Sequence, residues 1–370
     1  MTADHAIREA AVVLADLPGL GPGRLRRLIE AFGVINALER LRHRDLGSVA
    51  SLVHVDRAEA AELLDLWAAA LASPDRGRIE SVLAAGRVTA LGCSDYPAAL
   101  VDDPARPAVL FWRGDLALLE SPRVAVVGTR RATALGRTIA ADLGADLASA
   151  GVAVVSGLAD GIDAAAHRGT LQAGGIAVAV VGSGLDRPYP PGNRRLWDDV
   201  ASRGLLLTEA PLGGAPEAWR FPSRNRIIAA LAQVVVVVES GRAGGSMITV
   251  REALSRDRTV LAVPGSVRSA ASEGTNQLLA DGIGPARDAA DVLVALGLST
   301  SQLMFDHRPK PQSEAQSVLD VLSTGSATLE DLVDRSGQAA VAVAAHLGWL
   351  MGAGWVVADG GWYSLAPVVR

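Results

Sequence analysis

Lysine is nearly missing from this 370-residue chain: Lys310 stands alone among 35 basic residues, so almost every cation is a guanidinium. Either a compositional bias toward arginine or a need for planar, bidentate phosphate donors would produce this, and composition does not choose between them. Cysteine is as scarce. Cys93 has no partner in the chain, which excludes an internal disulfide scaffold and leaves a reducing cytoplasm as the simplest setting. Long apolar runs are lacking too: Ile176 to Val181 and Val234 to Val238 fall far short of the roughly 20 residues that cross a bilayer. With no basic-then-apolar leader at the N-terminus, a soluble chain with no membrane partner is expected. The 40 acidic residues outnumber the basic ones, giving a net charge of −5, and this alone argues against nucleic acid, since phosphate affinity comes from Lys and Arg. What is present is apolar. At 49% hydrophobic and 20% charged residues the chain is globular, and its length suggests two or three domains at about 150 residues each.

Residues 1–72 read as short helices, with the breaker run Pro18-Gly19-Leu20-Gly21-Pro22-Gly23 between the first two. This outline is that of a helical domain of the SAM or helix-hairpin-helix kind. Such a turn presents backbone N–H groups to phosphate, with Arg24, Arg26 and Arg27 as candidates for a duplex contact; a small domain also needs such a turn simply to pack. Residues 80–300 alternate valine-rich runs with helical stretches. Strands are expected at Val88, Val109, Val124, Val152, Ile176, Leu205, Val234 and Val260, and continuous apolar strands imply a sheet covered on both faces. The fold class is therefore α/β, an extended Rossmann-like, doubly wound sheet whose ligands sit at the strand carboxyl ends. A linker at 301–313 leads to a winged-helix outline at 314–370, three helices and a Gly-tipped hairpin. Its recognition helix, Gln338 to Met351, holds no Lys or Arg.

Four strand-to-helix loops carry the chemistry. The first, Val127-Gly128-Thr129-Arg130-Arg131, lacks the G-x-G-x-x-G spacing of a dinucleotide site. Its single glycine, hydroxyl and guanidiniums suit a nucleic-acid phosphate instead, with the backbone N–H groups after Gly128 expected to point outward. In the second, Ser156 to Asp163, the Asp163 and His167 pair is read as structural, because no nucleophile or metal-ligand cluster accompanies it; no catalytic residue, metal or cofactor is expected. The third, Trp219 to Ile228, interleaves Arg220, Arg224 and Arg226 with Trp219 and Phe221. That pattern fits a single strand, guanidiniums meeting phosphates and a ring stacking on a base, with Ser223 capping the helix that follows. The fourth, Glu239 to Thr249, brings Gly245 and Ser246 to a helix start, where they either cradle phosphate or allow close packing.

With these loops in place, residues 94–298 resemble the DprA/Smf family, the DNA processing A proteins. The resemblance rests on VAVVGTR at Val124, SGLADGIDAAAH at Ser156, GLDRPYP at Gly184, LLLTEAPLG at Leu205, FPSRNRIIAAL at Phe221, VVVVVESGRAGGSMIT at Val234 and AVPG at Ala262. It implies a non-enzymatic, homodimeric protein that binds single-stranded DNA, protects incoming or SSB-coated strands and loads the RecA recombinase onto them in natural transformation. The implied DNA contacts fall on Gly128, Thr129, Arg130, Ser156, Gly157, Phe221, Arg224, Asn225 and Arg226. Asp160 stands where that family usually has arginine. The core also resembles, more distantly, the LOG-type nucleotide phosphoribohydrolases through Gly244 to Glu252, but one extra residue would rotate Glu252 by about 100° about its helix.

Overall fold

The computed structural model describes residues 3–45, 57–84, 87–298 and 308–366 together with Val49 and Leu52. Residues 301–307 of the expected linker at 301–313 lie outside the described residues, as do 299 and 300. The chain forms two compact units, Met1–Ser301 and Gln302–Arg370.

The first unit is built on a nine-stranded sheet in the order β1-β2-β6-β5-β4-β3-β7-β8-β9. These strands are Val88–Ala90 (β1), Val109–Gly114 (β2), Arg123–Val127 (β3), Ala153–Ser156 (β4), Ala177–Val180 (β5), Leu205–Thr208 (β6), Val234–Val237 (β7), Thr259–Ala262 (β8) and Gly284–Pro285 (β9). The run from β6 to β9 is parallel, while β2 joins β6 and β1 joins β2 in antiparallel pairs. Strands β3 to β7 are buried along almost their whole length, as a sheet covered on both faces requires. Alternation assigns the two faces: Ala177 and Ala179 of β5 belong to one apolar core, Val178 and Val180 to the other. From β3 the chain moves outward through β4, β5 and β6, then returns to place β7 on the other side of β3. The β3/β7 junction is thus the topological switch point, where a doubly wound sheet opens a crevice at its carboxyl edge.

The helices Ala3–Ala15, Pro22–Phe32, Val34–Arg42, Arg57–Ala72 and Arg76–Ala84 do not stand apart. Their buried residues, among them Leu14, Leu28, Leu41 and Trp67, share one apolar core with Val88, Phe111 and Trp197. The expected division between residues 1–72 and 80–300 is therefore not a boundary between compact units: the N-terminal helices cover one face of the sheet. Trp67 Nε1 donates to the Pro18 carbonyl at 2.8 Å and ties the hairpin turn to this core.

The second unit has helices Ser313–Leu322, Leu329–Ser336 and Ala340–Gly352 and a three-stranded antiparallel sheet. Thr328 and Asp331 form a reciprocal capping box at the middle helix. Strands Val356–Asp359 and Trp362–Leu365 turn at Gly360 and Gly361, both at positive φ, which completes the winged-helix arrangement. No helix among the described residues is long and apolar enough to cross a membrane.

Candidate nucleic-acid interface

A cavity of about 620 Å3 opens at the switch point, within the range of ligand pockets. Its walls are the loops after β3 and β7 and the first turns of the helix Arg220–Leu231. That helix starts at Arg220, ahead of Ser223, the residue expected to cap it. Pro222 is accommodated because first-turn N–H groups have no helical acceptor, and Ser223 lies inside the helix, whose N-cap is Trp219 with no side-chain capping bond.

Helical geometry then separates the arginines. Phe221, Arg224, Asn225 and Ile228 all line the cavity, at the i, i+3, i+4, i+7 spacing of one helix face. Arg226 lies about 200° from Arg224 around the axis and does not line it. Its guanidinium meets Glu209 Oε1 at 2.6 Å. A shared groove for Arg224 and Arg226, as an extended segment would give, is therefore corrected. Arg224 itself is only 7% exposed. Its Nη1 donates to the Val180 carbonyl at 2.7 Å, and its Nη2 lies 3.8 Å from Asp163 Oδ2. Burial lowers the Arg224 pKa to about 10 and pushes Asp163 above the usual carboxylate range, with each partner's charge opposing the shift.

Ser156 and Gly157 also lie off the cavity. Ser156 Oγ donates to the Val126 carbonyl at 2.7 Å, and the Gly157 N–H donates to Asp163 Oδ2 at 3.1 Å. A Cβ at Gly157 would fall on the Arg224 guanidinium, so only glycine lets that side chain pass. Gly157 thus makes room for Arg224 and binds Asp163, while Ser156 ties β4 to β3. His167 is fully buried with Nε2 3.3 Å from the Val178 carbonyl, and burial lowers its pKa to about 4, leaving a neutral ring at pH 7. Among the described residues no hydrogen bond joins it to Asp163, and no cluster of three or more His, Cys, Asp or Glu is placed to hold a metal ion.

The loop after β3 keeps its charge. Arg130 and Arg131 are exposed on the cavity rim, and among the described residues neither guanidinium meets a carboxylate. The nearby Glu239 is engaged elsewhere. Its carboxylate accepts from the Thr133 N–H at 2.9 Å and from Thr133 Oγ1 at 2.6 Å, beside the start of helix Ala134–Ser149, where the helix dipole favours an anion. The backbone is less available than expected: the Thr129 N–H donates to the Glu239 carbonyl and the Arg131 N–H to Thr129 Oγ1. The side-chain cations, rather than a cradle of N–H groups, are what this loop offers to a phosphate.

Rings complete the site. The Arg130 guanidinium lies 5.1 Å from the Phe221 ring centroid, a cation–π distance, and the Tyr189 ring centroid lies 5.2 Å from that of Phe221. Asn225 Nδ2 donates to the Gly245 carbonyl at 3.3 Å, and Ser246 Oγ donates to Ser240 Oγ at 2.8 Å. Of the residues expected from the sequence, Gly128, Thr129, Arg130, Phe221, Arg224, Asn225, Gly245 and Ser246 share this cavity. Arg131 and Tyr189 join them; the signal for Tyr189 was its place in a strand-to-helix loop at the same sheet edge. Asp160, the departure from the family pattern, does not line the cavity and accepts from Asn193 Nδ2 at 3.3 Å.

Two other sets of residues weighed from the sequence lie off this cavity. The hairpin arginines are engaged within the unit: Arg24 with Glu59 and the Gly19 carbonyl, Arg26 with the Pro104 carbonyl, and Arg27 with the Leu52 carbonyl. Glu252, the carboxylate a LOG-type hydrolase would place on a ribose, lies off the cavity and meets Arg256 at 2.6 Å.

Residues 87–297 match the family model for DNA recombination-mediator protein A. A Mycobacterium tuberculosis relative is 38% identical over 334 residues, covering 85% of this chain and 83% of its own. The crystal structure of DNA processing protein A from Streptococcus pneumoniae is similar at 32% identity, with a TM-score of 0.66 over 77% of this chain and 97% of that one. A structure concerned with the single-stranded DNA binding mode of DNA processing protein A from Helicobacter pylori is similar at 29% identity. Its TM-score is 0.52 over 56% of this chain and 95% of that one.

Proposed function

The chain belongs to the DNA recombination-mediator protein A family, and from that premise we propose that it binds single-stranded DNA at the switch-point cavity and delivers the strand to the RecA recombinase. The observation that carries the binding step is the pair of carboxylate-free guanidiniums, Arg130 and Arg131, on a cavity rim that also holds an aromatic ring at Phe221. Arginine neutralises phosphates without reading sequence, and a ring accepts any base. Binding that ignores sequence suits a mediator acting on arbitrary strands, including strands already coated by SSB.

The delivery step needs no bond cleavage. We assign the protein to the cytoplasm as a homodimer, because two cavities on one particle raise the effective concentration of the second along a strand. The winged-helix unit is assigned a protein partner: its helix Ala340–Gly352 carries no Lys or Arg, and Val341 and Trp362 stand exposed. The test is the lag before RecA assembles on SSB-coated single strands. The wild-type protein shortens that lag several-fold, and Arg130→Ala with Arg131→Ala restores it. An unchanged lag with the wild-type protein removes the delivery role.

A further inference from the structure

We infer that Tyr189 is a second base-stacking residue of the strand site, forming with Phe221 a two-ring platform; this rests on the reading of the cavity as a single-strand site. The GLDRPYP segment was singled out by resemblance, yet no role fell on its tyrosine. Hydrogen bonds at residues 183–187 fix the loop that precedes it. Ser183 Oγ donates to the Arg187 carbonyl at 2.7 Å, the Gly184 N–H to the Gly214 carbonyl at 2.9 Å, and Asp186 Oδ1 accepts from the Gly213 N–H at 2.7 Å. A loop anchored this way delivers one ring to the cavity.

That ring is placed to act. Tyr189 lines the cavity and is 36% exposed, with its ring tilted 39° to Phe221 at a centroid separation of 5.2 Å. Phe221 already lies under the Arg130 guanidinium, whereas no cation lies over Tyr189 among the described residues. A base entering the site therefore meets the Tyr189 ring without first displacing a cation. If the base then takes the Phe221 face, Arg130 is released toward the adjoining phosphate. The hydroxyl plays no part in this role, so the ring alone matters.

The experiment measures binding of the full-length protein to a fluorescein-labelled oligothymidine strand and to a strand of equal length built from abasic sites, across a salt series. Tyr189→Leu weakens the base-bearing strand by about 5- to 100-fold, leaves the salt slope unchanged and does not alter abasic-strand affinity. Tyr189→Phe stays within about twofold of wild type, since the ring persists. Should the leucine variant fail to fold, Tyr189→Met repeats the comparison. Wild-type affinity in the non-aromatic variants, or an equal loss on the abasic strand, overturns the inference. Failure of the underlying reading has a different signature: the wild-type protein does not bind the base-bearing strand, or Arg130→Ala with Arg131→Ala loses no affinity.

Discussion

Replacing Arg130 and Arg131 together by alanine is expected to weaken single-strand binding about 100-fold at low salt without lowering stability. Each side chain offers a charge-assisted hydrogen bond worth about 1.5 kcal/mol or more, and two such contacts give about 3 kcal/mol, where 1.4 kcal/mol is tenfold. The fold leans little on either guanidinium: both are exposed, among the described residues neither meets a carboxylate, and Arg130 lies 5.1 Å from the centroid of the Phe221 ring on the cavity wall. Substitutions of that kind change stability by about 0.5 kcal/mol or less, so the thermal midpoint stays in place. The salt dependence supplies a second, independent reading. Two phosphate contacts removed from a single strand reduce the slope of log affinity against log salt by about 1.4. An affinity loss with an unchanged slope would mean that the arginines act through the shape of the loop rather than on phosphate.

Arg224→Met is expected to behave in the opposite way, destabilising the first unit by about 3–5 kcal/mol. Removing one member of a buried pair leaves the other charge uncompensated in a poorly solvated place, here Asp163, together with a Val180 carbonyl that loses its donor. Single-strand affinity, measured on the folded fraction below the melting transition, falls far less than in the double alanine variant. The pairing also predicts a compensation: adding Asp163→Asn to Arg224→Met recovers part of the loss, since no ionised carboxyl is then stranded. If Arg224→Met melts like wild type while losing its affinity, Arg224 is a phosphate ligand and the buried-pair account is wrong.

The contrast between these two arginine sites explains what the sequence could and could not reveal. The strands were legible because β3 to β7 are short apolar runs of valine, leucine and alanine, and the order of loops then located the carboxyl edge where Gly128 and Gly245 line one cavity. The division of labour within Phe221-Pro222-Ser223-Arg224-Asn225-Arg226 was not legible. A proline early in the segment masks the helix start, and without that start the roughly 200° between Arg224 and Arg226 is invisible. Whether a cation is free depends on partners distant in the chain: Glu209 for Arg226 and Asp163 for Arg224, while the Glu239 carboxylate after β7 is taken by Thr133. The covering of one sheet face by the N-terminal helices was hidden for the same reason, since amphipathic helices do not record which surface they bury. The net charge of −5 misled in turn. It sums over the whole chain, whereas the proposed binding depends on local charge at Arg130 and Arg131, which meet no carboxylate among the described residues.

The central claim, that a single strand lies in the switch-point cavity, is tested most directly by photocrosslinking. A strand carrying 5-iodouracil is bound to the full-length protein, irradiated and mapped by mass spectrometry, because the photoreaction favours aromatic side chains stacked on the base. The account predicts crosslinks to the peptides containing Phe221 and Tyr189, the two rings on the cavity wall. Crosslinks confined to the winged-helix unit, at Trp349 or Trp362, or to the helices before residue 84, would contradict it.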